Sequence, residues 1–291
     1  MPSLKDIKRK VGAVQKTKQI TRAMNMVAAS KFKSAQLKME NFRPYASKFM
    51  DVLNSLALRV ETMSHPLLAV RDPRRIRVIC MTSDRGLCGG FNTNLIKATE
   101  RFTKEKVKDG KDVSLITVGR KGRDFFRKKA NIIAQKTDVF SKFNMTLAVS
   151  VADEVIPSFV KEEYDELYLI YNQFVNVSVQ KPTIVRLFPL PSIGQDADVD
   201  PERFLDYAYE PSAEALLERL LPMYVHVLVY RALLETSAGE NGARMAAMDN
   251  ATSNCEDLIR SLSLKMNKAR QAAITAELMD IVGGTEALAK G

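Results

Sequence analysis

The first part of the chain carries apolar side chains mostly at steps of three and four residues, which places them on one face of a helix. Only one proline, Pro44, interrupts this pattern. An apolar seam this long and narrow is typical of one strand of a coiled coil rather than of a helix on a globular surface. The seam consists of Leu4, Ile7, Val11, Val14, Ile20, Met24, Val27, Phe32, Ala35, Met39, Phe42, Ala46, Phe49, Leu53, Leu56 and Val60.

A second long helix is predicted near the C-terminus, where it can pair with the first. Ser212 is a suitable N-cap, and acidic residues follow it in the first turn. The helical pattern continues to about Ile281, and the pair Gly283–Gly284 is expected to end it. Two long helices at opposite ends of one chain are expected to pair with one another or with a partner.

Three residues are expected to weaken this second helix. Pro222 lacks a backbone N–H and should kink or restart the helix. Gly239 and Gly242 each cost about 1 kcal/mol relative to alanine in a helix interior. The sequence therefore predicts reduced rigidity of the helix around these glycines.

Between the helices lies a segment with the pattern of an α/β domain. Short β-branched or aromatic runs at 77–83, 113–119, 166–172 and 182–189 alternate with helical stretches. Such alternation predicts βαβ units and a mostly parallel, Rossmann-like sheet. The predicted fold is therefore an α/β domain at 74–192, inserted between coiled-coil helices at 1–60 and 211–291.

The net charge of +10 is concentrated in the first helix, because residues 1–48 hold twelve Lys or Arg and two acids. A solvated helix face, a nucleic-acid-binding arm and a transit peptide are three possible explanations. Hardly any aromatic residue is available there for base stacking, and the apolar seam continues past any cleavage-like site. No apolar stretch reaches the roughly 20 residues that span a bilayer.

The stretch SDRGLCGGFN at 83–92 follows a predicted strand, where phosphate-binding loops often lie. The Walker pattern fails because Phe91 and Asn92, not Lys and Ser or Thr, follow Gly90. The dinucleotide fingerprint fails because Cys88 stands two positions after Gly86. The loop is therefore predicted to be a strand-to-helix turn, and no cofactor, metal or catalytic site is expected. A free-standing α/β enzyme remains an alternative, with Asp84 and Arg85 as its only candidates.

Three stretches together resemble the gamma subunit of F-type ATP synthases, over essentially the full length and in the same order. They are SDRGLCGGFN, LKDIKRKVGAVQKTKQITRAMNMVAASK near the start, and ARMAAMDNATSNCEDLI with LKMNKARQAAITAELMDIVGG near the end. The resemblance implies that the terminal helices form an antiparallel coiled coil. It also implies that this coiled coil is a non-catalytic rotor shaft that couples ion flow to ATP synthesis or hydrolysis. It also implies alpha, beta and epsilon subunits and a membrane c-ring as partners, no nucleic acid, and a peripheral position on the cytoplasmic face of the bacterial inner membrane.

The resemblance further implies four residues that contact a beta subunit. Arg244 in ARMAAM and Arg270 and Gln271 in NKARQ resemble residues that hydrogen-bond a beta-subunit loop, for which a planar guanidinium suits carboxylate. Met24 in RAMNMVAASK resembles a residue that faces an acidic beta-subunit segment. The competing interpretations are a solvated helix face for the polar residues and a plain seam position for Met24.

Overall fold

The computed structural model describes residues 4–57, 65–140, 143–190, 210 and 212–289. The helices are α1 (Leu4–Ala57), α2 (Phe91–Lys108), α3 (Arg120–Phe126), α4 (Met145–Val160) and α5 (Ala213–Ala289), with a short 3₁₀ turn at Pro66–Leu68. The strands are β1 (Arg75–Met81), β2 (Asp112–Val118), β3 (Asn131–Lys136), β4 (Glu166–Phe174) and β5 (Gln180–Phe188). The predicted fold class, long terminal helices with an inserted α/β domain, is confirmed.

The five strands form one sheet in the order β3-β2-β1-β4-β5. β3, β2, β1 and β4 are parallel, and β5 pairs antiparallel with β4. This is the 3-2-1-4 arrangement of a doubly wound sheet with an antiparallel edge strand. Parallel strands need crossover helices, and α2, α3 and α4 provide them.

Both faces of the sheet are covered because its strands are apolar on both sides. On β1, Val78 and Cys80 pack with Leu95 of α2 and Phe126 of α3. The alternate residues Ile79 and Met81 belong to the opposite cluster, which contains α4 and the adjoining parts of α1 and α5. Residues two apart on a strand share a face, so the pleat divides the core into these two layers.

The chain divides into two compact units, and both long helices contribute to each. One unit is Ala28–Arg244, which contains the sheet. The other combines Met1–Val27 with Met245–Gly291, and its described part is purely helical.

The helical unit is an antiparallel pair, as the sequence resemblance implies. The Thr21 and Thr252 hydroxyls lie 2.8 Å apart, and Asn25 Nδ2 donates to the Met245 carbonyl at 2.9 Å. Lys18 Nζ lies 2.8 Å from a carboxylate oxygen of Glu256. Successive positions on α1 therefore meet positions in reverse order on α5.

One prediction about α5 is wrong, one is narrowed, and one is confirmed. The helix does not end at Gly283–Gly284 but continues to Ala289, and of the two alternatives for Pro222, a kink or a restart, the restart is excluded because the helix is continuous there. A proline near the start of a long helix removes one hydrogen bond, and the neighbouring turns maintain the helix. Ser212 does cap it, because its Oγ accepts from the Ala215 N–H at 3.2 Å.

Strand β3 has no counterpart among the predicted strands, whereas the four predicted strands are all present within a few residues. The predicted boundaries at 58–60, 191–192, 211 and 290–291 lie outside the described residues.

Candidate functional site

The predicted contact residues have unlike surroundings. Arg270 and Gln271 are adjacent on α5 and both exposed, and Met24 is half-buried on α1. These three belong to the helical unit, whereas Arg244 is the last residue of the unit that contains the sheet. The Arg244 side chain is only 11% exposed, although the sequence suggests an exposed arginine on a helix.

The reason is that Arg244 has partners within its own unit. Its Nε and Nη2 donate to the Gly86 carbonyl at 3.3 and 3.1 Å. Its Nη2 also donates to the Glu240 carboxylate at 2.6 Å, and the Glu240 side chain is 6% exposed. Burial raises the pKa of Glu240, and the charge of Arg244 opposes that shift. Arg244 therefore joins the glycine-rich loop at 83–90 to α5.

The part of α5 just before Arg244 is buried on every side. Residues 232–243, which we call the collar segment, contain no exposed or half-buried position. A surface helix would leave one face in water, so a helix buried all round must be enclosed by other elements. The enclosing elements include the glycine-rich loop, α1 and the β4–β5 hairpin, as the following contacts show.

Gly239 and Gly242 allow these elements to approach α5 closely. A Cβ at Gly239 would lie 3.0 Å from Phe91 Cε2 and 3.3 Å from Gln180 Cγ. A Cβ at Gly242 would lie 3.5 Å from the Phe32 ring. Gly239 is thus a position at which the domain packs tightly on the helix, whereas a Cβ at Gly242 would make ordinary van der Waals contact.

The β4–β5 hairpin is joined to the collar segment by Glu235. The Glu235 carboxylate accepts from the Phe174 N–H at 3.3 Å and from Arg231 Nε at 2.9 Å. The Phe174 ring lies 5.6 Å from the Phe32 ring of α1, measured between centroids. One end of the sheet therefore contacts both long helices.

The glycine-rich loop is held by its own side chains. Asn92 Oδ1 accepts from the Ser83 N–H at 2.9 Å, and Asn92 Nδ2 donates to Cys88 Sγ at 3.2 Å. Cys88 packs with Phe91 and with Ala243 of the collar segment, and burial raises the pKa of its thiol. An asparagine at the start of α2 can suggest from sequence alone that its side chain hydrogen-bonds the preceding loop. Nothing in the sequence indicates that this loop packs on α5.

Asp84, the candidate acid of the alternative enzyme hypothesis, accepts main-chain hydrogen bonds. Its Oδ1 accepts from the N–H groups of Arg120 and Asp138 at 3.0 and 2.8 Å, and its Oδ2 accepts from Phe140 at 3.2 Å. A carboxylate so engaged stabilises the turns after β2 and β3. Its position therefore supports a structural role.

The residues that the structure describes form neither a metal centre nor a membrane span. No group of three or more His, Cys, Asp or Glu among them is arranged to hold a metal ion. None of the helices described there has the combination of length and apolarity that a bilayer span requires.

Comparison with known proteins identifies the class to which this architecture belongs. The sequence profile of the ATP synthase family matches residues 3–288. The ATP synthase gamma chain of Syntrophus aciditrophicus is 67% identical over 100% of both chains. That of Nitratidesulfovibrio vulgaris strain Hildenborough is 48% identical over 99% of both.

Solved structures show the same fold. A chain of the Tetrahymena thermophila mitochondrial ATP synthase central stalk and c-ring aligns with a TM-score of 0.61 and 27% identity, covering 80% of this chain and 99% of that one. A chain of the Euglena gracilis mitochondrial ATP synthase aligns with a TM-score of 0.68 over 98% of this chain and 94% of that one. The second, at 20% identity, supports the fold alone.

The fold is that of a central-stalk protein, in which long helices flank an α/β domain. The chain belongs to the ATP synthase gamma chain family. The resemblance to the gamma subunit of F-type ATP synthases that the sequence motifs indicate is confirmed.

Proposed function

We propose that this chain is the non-catalytic shaft of a bacterial-type ATP synthase and that its α/β domain is fixed to the shaft by the collar segment. The observation that carries the proposal is the antiparallel pairing of Thr21 with Thr252 and Asn25 with Met245. A helix pair of this kind is a stiff rod, and α5 alone is 77 residues long. The domain organisation 1–60, 74–192 and 211–291 fits this division of roles.

The partners in this proposal are the alpha and beta subunits around the helix pair, and the epsilon subunit and c-ring at the α/β domain. The excess of basic residues at 1–48 suits sliding contact with acidic surfaces, because attraction between charges has little directionality. The complex would be peripheral, at the cytoplasmic face of the inner membrane.

Within this proposal, Arg270 and Gln271 are the residues best placed to contact a beta subunit. Both are exposed, and neighbours on a helix point about 100° apart, so they can reach two separate acceptors. Met24 provides a half-buried apolar contact on α1. Arg244 can contact a beta subunit only through donors that Gly86 and Glu240 leave free.

The experiment is co-expression of this chain with its alpha and beta subunits and purification through a tag on beta. We expect an ATP-hydrolysing complex that contains one copy of the chain. The isolated chain, measured by calorimetry and by phosphate release, should neither bind nor hydrolyse ATP. Failure to co-purify, or ATPase activity of the chain alone, would contradict the proposal.

A further inference from the structure

The α2–α3 side of the inserted domain carries a strong positive charge that has no role in the shaft function proposed above. Residues 91–130 hold twelve Lys or Arg and five acids, a net charge of +7. On the other face of the sheet, residues 143–165 hold one Lys and five acids, a net charge of −4. The inserted domain is therefore basic on one side and acidic on the other.

The basic charge lies on the solvent face of α2. Leu95, Ile96 and Thr99 are buried toward the sheet, which leaves the opposite side of the helix in water. A shallow surface groove there is lined by the acids Glu100 and Glu105 and by four cations at steps of three and four: Lys97, Arg101, Lys104 and Lys108. We call these four cations the basic face.

Among the described residues, most of the basic face has no ion-pair partner. Lys104 Nζ lies 3.1 Å from a carboxylate oxygen of Glu100. Within the described part of the chain, Lys97, Arg101 and Lys108 have no carboxylate within the 4.0 Å of an ion pair. These three cations outnumber the nearby Glu105 carboxylate and can bind an anionic partner without breaking an ion pair.

The surroundings indicate which anionic partner fits. Protein interfaces are depleted in lysine and centre on buried aromatic or apolar anchors, yet Val107 is the only large apolar residue exposed among residues 91–130. Lys129 Nζ lies 3.9 Å from the Phe125 ring centroid and Lys106 Nζ 5.6 Å from that of Phe102, so these rings are covered rather than free to stack on bases. Clustered lysines and arginines on a helix, without apolar anchors, are typical of contact with anionic lipid headgroups.

We propose that the basic face contacts the anionic phospholipid surface beside the ion-translocating ring. This inference rests on the proposed function, which places the inserted domain at the membrane end of the shaft. Attraction between exposed charges extends about 8 Å at physiological salt and has little directionality. A rotating domain can therefore be held near a fluid, negatively charged surface without a fixed contact that would stop its rotation.

The test uses the complex of this chain with its alpha, beta and epsilon subunits and measures flotation with lipid vesicles. We expect binding to vesicles of phosphatidylcholine with phosphatidylglycerol, decreasing as salt is added, and none to phosphatidylcholine alone. The variant Lys97→Gln, Arg101→Gln, Lys108→Gln should bind on the order of 100-fold more weakly, because each basic residue near an anionic surface contributes roughly fivefold.

The matched control is Arg74→Gln, Lys161→Gln, Lys181→Gln, whose three side chains are exposed and lie outside both the α2–α3 layer and the basic segment at 1–48. Both variants lose three positive charges, so equal weakening would mean that only net charge matters and would overturn the inference. Absence of wild-type binding, or tighter binding of duplex DNA than of the anionic vesicles at the same salt, would also overturn it. Failure of the complex to assemble would instead contradict the proposed function.

Discussion

The guanidinium of Arg244 donates to the carbonyl oxygen of Gly86, 158 positions earlier in the chain, at 3.1 Å from Nη2. The same nitrogen lies 2.6 Å from the Glu240 carboxylate, so one buried side chain joins the glycine-rich loop to the collar segment. Motion of the inserted domain relative to α5 would have to break these charge-assisted contacts.

Replacement of Arg244 by methionine should lower the free energy of unfolding by about 3 kcal/mol, because it leaves the Glu240 carboxylate buried without its cation. The double variant Arg244→Met, Glu240→Gln should lose less unfolding free energy than the single variant, because it has no unpaired buried charge at this site. Urea unfolding of the purified chain measures both. If the double variant is as unstable as the single one, the buried charge is not the cause.

The loss of unfolding free energy caused by Arg244→Met should also depend on pH. Burial raises the pKa of Glu240, and removal of Arg244 removes the main opposing influence. A carboxyl whose pKa is higher in the folded than in the unfolded state stabilises the fold when protonated. The loss of stability in Arg244→Met should therefore be largest at neutral pH and shrink as the pH falls through the raised pKa of Glu240.

Gly239→Ala and Gly12→Ala should have opposite effects on stability. Alanine favours a helix by about 1 kcal/mol over glycine, and a Cβ at Gly12 would meet nothing within 4 Å, so this variant should gain that amount. A Cβ at Gly239 would lie 3.0 Å from Phe91, so overpacking should outweigh the helical gain and give a loss of about 1 kcal/mol. Thermal or urea unfolding compares the two; a gain at Gly239 would show that the collar segment is loosely packed.

Asp165→Asn should destabilise the sheet by about 2 kcal/mol at neutral pH, because Asp165 binds the start of β1. Its carboxylate accepts from the N–H groups of Arg74 and Arg75 at 2.9 and 2.7 Å and from the Arg75 guanidinium at 3.2 Å. Burial acts to raise the pKa of Asp165, but these bonds outweigh it and lower the pKa. A lowered folded-state pKa adds stability above about pH 4 that is lost as the pH falls further. The difference between variant and wild type, followed by urea unfolding, should shrink in acid, and a difference that does not change with pH would contradict this role of Asp165.

Arg270→Ala and Gln271→Ala should each change ATP turnover of the assembled complex several-fold without preventing assembly. Both side chains are exposed in the free chain, so their removal leaves the helix pair intact. Hydrogen bonds that involve a charged group contribute about 1.5–3 kcal/mol, enough to alter the stability of one rotational position. Steady-state ATPase measures the effect, with the exposed Lys265→Ala as control. Wild-type rates in both variants would favour a solvated helix face.

Cysteines at positions 21 and 252 should form a disulfide within one chain. The Thr21 and Thr252 hydroxyl oxygens lie 2.8 Å apart, which brings the two side chains within reach of the bond. Cys255 is partly exposed and should be changed to serine, whereas Cys80 and Cys88 are buried. Gel mobility under oxidising conditions distinguishes an internal link from a link between chains, and links only between chains would contradict the antiparallel pair.

Periodicity was sufficient to predict the two long helices and four of the five strands, because their apolar positions repeat over many turns or fill both faces of a sheet. Strand β3 is a short edge strand whose exposed and half-buried positions alternate, and its sequence NIIAQK lacks a sustained apolar run. Long-range packing decides such a strand, and the sequence gives no direct sign of it.

The collar segment could not be predicted for a related reason. Local propensity correctly marks Gly239 and Gly242 as poor helix formers, but their partners Phe91 and Phe32 lie far away in sequence. The burial of Arg244 likewise depends on Gly86, whose nearness to α5 only the fold determines. Sequence patterns therefore indicate the candidate residues, and tertiary contacts decide what each of them does.

The antiparallel pair also has a consequence for synthesis. Asn25 and Met245 are 220 positions apart, and Thr21 and Thr252 are 231 positions apart. The start of α1 therefore has no pairing partner until more than 200 further residues have been synthesised. At the usual 5–20 residues per second of translation, this interval lasts about 10–40 s. During it the apolar seam of α1 is open to water, and the concentrated positive charge of the same segment keeps nascent chains from associating through it. The positive charge at 1–48 thus limits association between nascent chains before the antiparallel helix pair has formed.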